Sequence, residues 1–230
     1  MKALAIIPAR GGSKRIPRKN IKEFCGKPMI AYSIEAAQKS GCFDKIVVST
    51  DDEEIARIAK SYGAEVPFMR PKELSDDHTA TIPVIAHAIR ASVQNINEVE
   101  AVCCIYATAP FVQARYIQEA YETLLTCKAQ YCFSATSFPF PIQRAIRLTK
   151  EDRVEMFSLE NFAVRSQDLE EAYHDAGQFY WGTPSAWLEG KIIFAPHSSA
   201  VLLPRHLVQD IDTPEDWTRA EFMFKALALS

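Results

Sequence analysis

The strongest constraint on this chain is a cation-rich loop that follows a short apolar segment near the N-terminus. The apolar run at residues 4–7 stops at Pro8, and a Gly-Gly pair follows soon after. The cations of this loop, all of which precede the first acidic residue, Glu23, are Arg10, Lys14, Arg15, Arg18, Lys19 and Lys22. Because glycine carries no side chain, backbone N–H groups in such a loop can approach an anion closely, and arginine can donate two hydrogen bonds to a phosphate. The stretch predicts a phosphate-binding loop, and a solvated basic turn is the alternative.

The spacing within this loop excludes two common nucleotide-binding motifs. Residues 10–20 lack the G-x-x-x-x-G-K-[ST] of a Walker P-loop and the G-x-G-x-x-G of dinucleotide-binding folds. These omissions argue against a kinase, an ATPase and a nicotinamide-dependent dehydrogenase. Among the possible functions of this chain, a nicotinamide-dependent dehydrogenase is therefore the least favoured.

Length and charge narrow the class of protein. With 230 residues and 48% hydrophobic content, the chain can bury a sizeable core, so we expect a single domain with one embellishment. The net charge of −3 provides no overall basic field, and we expect no nucleic-acid partner. No stretch of the sequence approaches the ~20 apolar residues of a membrane helix. The first residues lead directly into a short apolar run without the apolar region of a signal peptide, which favours a cytoplasmic protein.

The six cysteines favour the same compartment. None belongs to a C-x-x-C pair, and several lie inside apolar runs, where a free thiol behaves as a small hydrophobe. We therefore expect free thiols in a reducing cytoplasm, and neither a zinc site nor a disulfide framework.

Apolar runs alternate with amphipathic segments along the first 137 residues. Predicted strands cover residues 2–7, 45–50, 64–69, 99–106 and 130–137, and predicted helices begin at Pro28, at the acidic residues 51–54, near Ile82 and at Ala114. The acidic residues complement a helix N-terminus, which favours a capping role over a metal site. This alternation predicts an α/β fold with a parallel sheet, in which ligands bind beyond the carboxyl ends of the strands. The basic loop and Arg70 would then share one rim of the sheet.

The alternation breaks at residues 138–173. A Phe-Pro-Phe-Pro sequence opens this stretch, and short, weakly patterned pieces rich in charge and turns follow. We interpret it as an insertion that projects from the sheet, either to pack on another subunit or as a flexible surface hairpin. The core resumes at His174, with strand-like runs at 191–194 and 200–203. A final helix is expected from Pro214 to near Leu229.

Two carboxylates near the C-terminus form a D-x-D pattern. Asp210 and Asp212 would project from the same face of an extended segment. Mg²⁺ prefers oxygen ligands and is commonly held by one or two carboxylates together with substrate phosphates. The pair therefore predicts a metal-nucleotide site, and the alternative is that Asp212 only helps to start the final helix.

Taken in order, these blocks resemble the cytidylyltransferases that activate nine-carbon acidic sugars, the sialic-acid-type synthetases. The matching blocks are I-P-A-R-G-G-S-K-R-I-P-R-K-N at 7–20, S-T-D-D at 49–52, R-P at 70–71, L-S-D-D at 74–77, D-A-G-Q-F-Y at 175–180 and D-I-D-T at 210–213. The resemblance covers nearly the whole chain. It implies a Rossmann-like, mostly parallel sheet flanked by helices, of the nucleotide-diphospho-sugar transferase type. It also implies a homodimer, formed where the insertion at 138–173 reaches a second subunit.

The resemblance further implies a reaction in which CTP and a nine-carbon 2-keto sugar acid give a CMP-sugar and pyrophosphate, with Mg²⁺ or Mn²⁺ as cofactor. By similarity, Arg10 and Lys14 hold the triphosphate, Lys19 the α-phosphate and leaving group, and Asn20 the nucleoside. The nucleotide-binding set implied is Arg10, Gly11, Gly12, Ser13, Lys14, Lys19, Asn20, Arg70, Thr79 and Thr81. The sugar-binding set implied is Tyr106, Arg165, Asp175, Gln178 and Tyr180. The metal set is Asp210 and Asp212.

Two departures from the sialic acid pattern bear on the sugar. A Gln-Pro-Thr-Ser-Pro run is replaced here by Y-A-T-A-P at 106–110, and an Asn-Gly-Ala turn is replaced by the sequence around 174–181. The combination resembles the pseudaminic acid branch, which serves surface glycan or flagellin glycosylation, more than the sialic acid branch. Sialic acid as the acceptor and a non-catalytic nucleotide-binding module are the alternatives. His174 and His206 flank the site segments, and the sequence leaves open whether either lines the pocket.

Overall fold

The computed structural model describes residues 3–227 and residue 229. The strands are β1 (Ala3–Pro8), β2 (Glu23–Phe24), β3 (Lys27–Pro28), β4 (Lys45–Ser49), β5 (Ala101–Ile105), β6 (Tyr131–Ser137), β7 (Ile146–Leu148), β8 (Val154–Met156), β9 (Tyr173–Gly182) and β10 (Ser198–Leu202). The helices are α1 (Met29–Ser40), α2 (Glu53–Ser61), α3 (Thr81–Ser92), α4 (Ala114–Thr126), α5 (Pro184–Glu189) and α6 (Pro214–Leu227). Single 3₁₀ turns lie at Lys72–Leu74, Ile96–Glu98, Ile142–Arg144, Leu159–Asn161, Ser166–Asp168 and Arg205–Leu207.

The central sheet has the strand order β10-β6-β9-β5-β1-β4. Strand β1 pairs in parallel with β4 and β5, and β10 pairs in parallel with β6. Among the central-sheet strands that the structure describes, β9 alone runs against this direction, between β5 and β6. The prediction of a mostly parallel sheet flanked by helices is therefore confirmed.

Burial on both faces explains why the strands read as continuous apolar runs. The apolar side chains of β1 and β5 are fully buried, as expected where helices cover both faces of a parallel sheet. One face packs on α1, α2 and α4, and the other packs on α3 and α5. Burial on both faces leaves the ends of the strands as the place where ligands can enter.

A third apolar cluster holds the basic loop in place. Ile16, from the middle of the loop, is buried together with Phe24, Met29 and Trp217. In addition, the ammonium of Lys22 lies 4.4 Å from the centre of the Trp217 ring, a favourable cation–π distance. Because Trp217 belongs to α6, this packing brings the N-terminal loop next to the D-x-D segment that precedes the helix.

Two predicted strands are wrong, and a third lies partly outside the described residues. Residues 64–69 form only an isolated bridge at Glu65, because Pro67 has no N–H group with which to extend a ladder. Residues 191–194 form no strand, since Ala195 N donates to Ile193 O in a tight turn and Ile192 points to solvent. The first predicted strand begins at Lys2, and the final predicted helix runs past Leu227; Lys2 and residue 228 are outside the described residues.

The segment 138–173 projects from the sheet with many exposed apolar side chains. It contains the β7–β8 hairpin and short 3₁₀ turns. Its exposed large side chains are Phe138, Phe140, Ile142, Ile146, Leu148, Val154, Phe157, Leu159, Phe162 and Tyr173. An apolar surface of this extent on one projection is typical of an interface with another chain. No helix within residues 3–227 has the length and apolar character required to cross a bilayer.

Candidate active site

The basic loop leaves the carboxyl end of β1 and is fixed by contacts with its neighbours. The buried side chain of Asn20 donates from Nδ2 to the carbonyl of Arg10 at 2.8 Å, which closes the loop on itself. The backbone N–H of Gly11 donates to Asp51 Oδ1 at 2.9 Å. Asn20, predicted to hold the nucleoside, thus also ties the two ends of the loop together.

Acidic residues at the start of α2 brace the same loop. Arg18 adopts a left-handed backbone conformation, with φ of 57°, and forms ion pairs with Asp52 and Glu54. The guanidinium of Arg18 holds the pKa of Asp52 below its usual range. Asp52 also caps α2, because it accepts a hydrogen bond from Ile55 N. A Cβ at Gly11 would lie 2.7 Å from Asp52 Oδ2, so this close approach requires glycine.

A cleft of about 490 Å³ opens above this loop. Its lining contains most of the predicted nucleotide-binding residues, namely Arg10, Ser13, Lys14, Lys19, Asn20, Arg70, Thr79 and Thr81. Further lining residues are Pro8, Arg15, Asp77, Val84, Tyr106, Ala107, Thr108 and Asp212. Gly11 and Gly12 shape the loop without lining the cleft that the described residues form. Five cations around one cleft at the edge of the sheet, Arg10, Lys14, Arg15, Lys19 and Arg70, favour an anionic ligand with several charges.

Arg70 lies at the inner wall of the cleft. Its side chain is buried and donates from Nε to Ser49 Oγ at 3.0 Å and from Nη2 to the Ser49 carbonyl. Burial lowers the pKa of the Arg70 guanidinium to about 10, so the group stays charged at neutral pH. Thr79 Oγ1 donates to Asp76 Oδ1 at 2.6 Å, which fixes the position of this lining threonine.

Lys19 joins the basic loop to the D-x-D segment. Its ammonium donates to the Ile211 carbonyl at 2.7 Å and to Asp212 Oδ1 at 3.3 Å. Asp212 also forms an ion pair with Arg15 at 2.9 Å. The bonds that cap α6 come instead from Thr213 and Asp216, which form a reciprocal capping box. The carboxylate of Asp212 therefore faces the cations of the cleft and leaves the capping of α6 to other residues.

A second cavity, of about 450 Å³, adjoins the cleft. Predicted sugar-binding residues that line it are Tyr106, Asp175, Gln178 and Tyr180. The other lining residues are Thr108, Ala109, Phe111, His174, Ala176, Gly177, Val208, Gln209 and Asp210. Tyr106 and Thr108 line both cavities, and Tyr106 Oη lies 2.9 Å from Thr81 Oγ1 across the boundary. The two cavities therefore meet at Tyr106.

Polar groups in the second cavity are buried and ordered. Tyr180 donates its hydroxyl to Asp175 Oδ2, and Gly177 N donates to Asp175 Oδ1 at 2.9 Å. Burial raises the pKa of the Tyr106 phenol to about 12 and carries that of Tyr180 well above its usual range. Gln178 donates from Nε2 to the Leu207 carbonyl, whereas its buried Oε1 has no hydrogen-bond partner among the described residues. Both phenols are thus neutral donors near neutral pH, and Gln178 has one acceptor to offer.

The two carboxylates of the D-x-D pattern lie in different cavities. Asp210 lines the second cavity, whereas Asp212 lines the first. Desolvation and the nearby charge of Asp212 raise the pKa of Asp210, and a bound cation would relieve that repulsion. No group of three or more potential metal-ligating side chains occurs in residues 3–227 or at residue 229. Two carboxylate donors fit Mg²⁺ or Mn²⁺ only if the substrate supplies further oxygen ligands.

The structure separates Arg165 from the other predicted site residues. Arg165 forms an ion pair with Asp168 inside the projecting segment and lines neither cavity of the chain as described. His174 lines the second cavity, whereas His206 is exposed and lines neither of these two cavities in the described part. The sequence analysis missed Asp77 and Thr108 as site residues, although Asp77 lies in the quoted L-S-D-D block.

One solved structure has a fold similar to that of this chain along nearly its whole length. The solved structure of CMP:2-keto-3-deoxy-manno-octonic acid synthetase, complexed with CTP, superposes with a TM-score of 0.71. The match covers 98% of this chain and 99% of that one, at 14% sequence identity. A likeness at this identity shows the fold alone.

Sequence comparison gives the family. A family model described as Cytidylyltransferase matches residues 4–183, and the chain belongs to this family. It is 53% identical over 226 residues to a pseudaminic acid cytidylyltransferase of Campylobacter jejuni, covering 98% of this chain and 97% of the relative. It is 32% identical to an N-acylneuraminate cytidylyltransferase of Escherichia coli, covering 95% of this chain and 51% of that protein. The resemblance inferred from sequence blocks is confirmed.

Proposed function

We propose that this cytidylyltransferase transfers the CMP group of CTP to a nonulosonic acid, with pseudaminic acid as the preferred acceptor. The observation that carries the proposal is the junction at Tyr106 between a cationic cleft and a second, aromatic cavity. A nucleotide in the cleft would present its α-phosphate near that junction, where an acceptor in the second cavity could reach it. The named function of the Campylobacter relative supports this assignment.

Positioning and charge neutralisation account for the chemistry. The 2-hydroxyl oxygen of the sugar bonds to the α-phosphorus while the bond from that phosphorus to the bridging oxygen breaks; pyrophosphate leaves, and the hydroxyl proton passes to solvent. Arg10 and Lys14 would bind the β- and γ-phosphates, and Lys19 would bind the α-phosphate and the oxygen that becomes free. Buried Arg70, with Thr79 and Thr81, would read the cytosine. Such a transfer depends on aligned reactants and on stabilised charge more than on covalent help from the protein.

Asp210 and Asp212 are the residues that would hold Mg²⁺ or Mn²⁺. A divalent cation bound there would neutralise phosphate charge. Each carboxylate faces a different cavity, so the pair can orient ligands toward both substrates. Arg15 and Lys19 already pair with Asp212, which directs that carboxylate into the cleft.

The second cavity suits a sugar acid with a methyl terminus. Tyr106 and Tyr180, which both line this cavity, lie with ring centres 5.3 Å apart, and Phe133 stacks on Tyr180 with ring centres 6.3 Å apart. Pseudaminic acid ends in a methyl group where sialic acid carries a hydroxylated tail. Burying hydroxyl groups without partners costs about 1–3 kcal/mol for each group. An aromatic wall therefore favours the less polar acceptor.

We further propose a cytoplasmic homodimer in which the segment 138–173 covers a second copy. The exposed apolar side chains of this segment support the assembly, because a chain in water gains by burying such a surface. Within one chain Arg165 lines neither cavity, so a role in sugar binding would require its delivery to the second copy.

Replacing Lys14 or Lys19 with alanine should lower kcat/KM for CTP by about 10- to 100-fold, because each loses a charged hydrogen bond to phosphate. Lys22→Ala is the matched control, since Lys22 belongs to the same loop but packs on Trp217. Steady-state kinetics with varied CTP measures the effect. Unchanged kcat/KM in both cleft variants would remove the phosphate assignment.

Asp210→Asn and Asp212→Asn keep the size of each side chain and remove its charge. We expect turnover to fall about tenfold or more and half-maximal activity to need more Mg²⁺, since Asn is a poorer metal ligand. Glu215→Gln removes one nearby charge outside both cavities and should leave the Mg²⁺ titration unchanged. If both Asn variants turn over at the rate and Mg²⁺ concentration of the parent, the pair does not bind the metal.

Acceptor choice is tested by pyrophosphate release with each sugar acid in turn. We expect kcat/KM for pseudaminic acid to exceed that for sialic acid by up to about 100-fold, because an aromatic wall rejects an added hydroxyl only to this degree. Equal values, or a preference for sialic acid, would contradict the acceptor assignment alone. If neither sugar acid supports release, the alternative of a nucleotide-binding module is favoured.

The dimer is tested by analytical ultracentrifugation of two phenylalanine variants. The wild-type 25.8 kDa chain should sediment as a dimer, and Phe162→Asp should shift it to the monomer by placing a charge in the apolar interface. Phe222→Asp changes a side chain of similar exposure on α6, outside the projecting segment, and should remain dimeric. A wild-type chain that is monomeric at micromolar concentration would disprove the assembly.

A further inference from the structure

The carboxylate of one residue, Asp77, forms ion pairs with two cations of the basic loop at the same time. Asp77 forms an ion pair with Arg10 through Oδ1 and with Lys14 through Oδ2. It lines the cleft together with both of them. Under the proposed function these are the cations that bind the β- and γ-phosphates of CTP. The carboxylate of Asp77 therefore lies where phosphate oxygens would lie.

The backbone around Asp77 is held by its neighbours. The Asp76 side chain accepts hydrogen bonds from His78 N at 3.0 Å and from Thr79 N at 2.7 Å, which forms a tight turn. On the other side, Arg70 N donates to the Thr50 carbonyl at 2.7 Å. The turn thus presents Asp77 to the basic loop, and the two ion pairs bridge the mouth of the cleft between the loop and the wall that carries Thr79.

The carboxylate of Asp77 is charged in these ion pairs, and a more highly charged ligand can displace it from them. Lys14 and Arg10 hold the pKa of the Asp77 carboxyl at about 2, so the group remains ionised across the working range of pH. The Lys14 side chain is 80% exposed in its pair with Asp77, and ion pairs open to water contribute little to stability. A polyphosphate, with several charges and many acceptor oxygens, can therefore displace a single carboxylate from the same cations.

We propose that Asp77 is an internal competitor for the triphosphate site, which pairs with Arg10 and Lys14 in the free protein and is displaced by CTP. The carboxylate offsets repulsion between cations of the loop before nucleotide binds. After transfer, its return to Arg10 and Lys14 assists the departure of pyrophosphate. Asp77 in this way lowers the affinity for every ligand that carries a pyrophosphate group. The inference rests on the proposed function, which assigns these cations to the phosphates.

The effect of Asp77 should depend on which phosphates a ligand carries. CTP and inorganic pyrophosphate must displace the carboxylate, whereas CMP retains only the phosphate assigned to Lys19. Binding of the three ligands to Asp77→Asn, measured by isothermal titration calorimetry at fixed Mg²⁺, separates competition from a general change in the cleft. We expect CTP and pyrophosphate to bind roughly five- to tenfold more tightly than to wild type, and CMP to bind within about twofold.

Glu73→Gln is the matched control. It removes one negative charge from the same segment, at an exposed position outside the cleft lining. All three ligands should bind this variant within about twofold of wild type. A comparable gain in Glu73→Gln would attribute the effect to net charge and would contradict competition by Asp77.

Lys14→Ala separates failure of this inference from failure of the phosphate assignment. If Lys14→Ala loses pyrophosphate affinity while Asp77→Asn shows no gain or a loss, the phosphate site stands and the competitor role of Asp77 is wrong. If Lys14→Ala binds pyrophosphate like wild type, the phosphate assignment itself fails, and the competitor role fails with it. Tighter pyrophosphate binding in Asp77→Asn together with weaker binding in Lys14→Ala supports both.

Discussion

Pairing between the cation-rich loop and carboxylates from three distant segments is the interaction on which the site depends. Clustered cations repel one another, so the loop needs compensating charges to keep one shape. Asp52 and Glu54 hold Arg18 from the start of α2, Asp77 holds Arg10 and Lys14, and Asp212 holds Arg15 and Lys19. The first group is purely structural, since Arg18 does not line the cleft as described. The other two groups face the space where a ligand would bind.

This division explains how one short loop can keep a fixed backbone and still offer its cations to a ligand. The contacts of Ile16 with the Trp217 cluster and of Gly11 with Asp51 fix the backbone from below. The cations above it pair with exposed or half-buried carboxylates that a more highly charged ligand can replace. Preorganised cations of this kind need little rearrangement when charge develops during reaction.

The second organising feature is the antiparallel strand β9. Its insertion between β5 and β6 brings the 174–180 segment to the same edge of the sheet as Tyr106. Tyr106 N donates to the Gln178 carbonyl at 2.8 Å, which joins the end of β5 to β9. A second cavity therefore forms beside the cationic cleft, and Tyr106 lines both.

The sequence by itself determined the features that depend on neighbouring residues. Local patterns predict the buried strands β1, β4, β5 and β6 and the location of the basic loop. They also predict the helix starts at Pro28 and Asp52 and the capping box before α6. Tertiary structure decided which charges meet. Contacts between residues far apart in the chain pair Asp77 with Lys14 and divide Asp210 and Asp212 between two cavities. They also leave Arg165 outside the lining of both cavities. The failed strand at 64–69 has the same origin, because a ladder needs a partner N–H at each step and Pro67 removes one. Local propensity decides what a segment can become, whereas long-range packing and electrostatics decide what it faces.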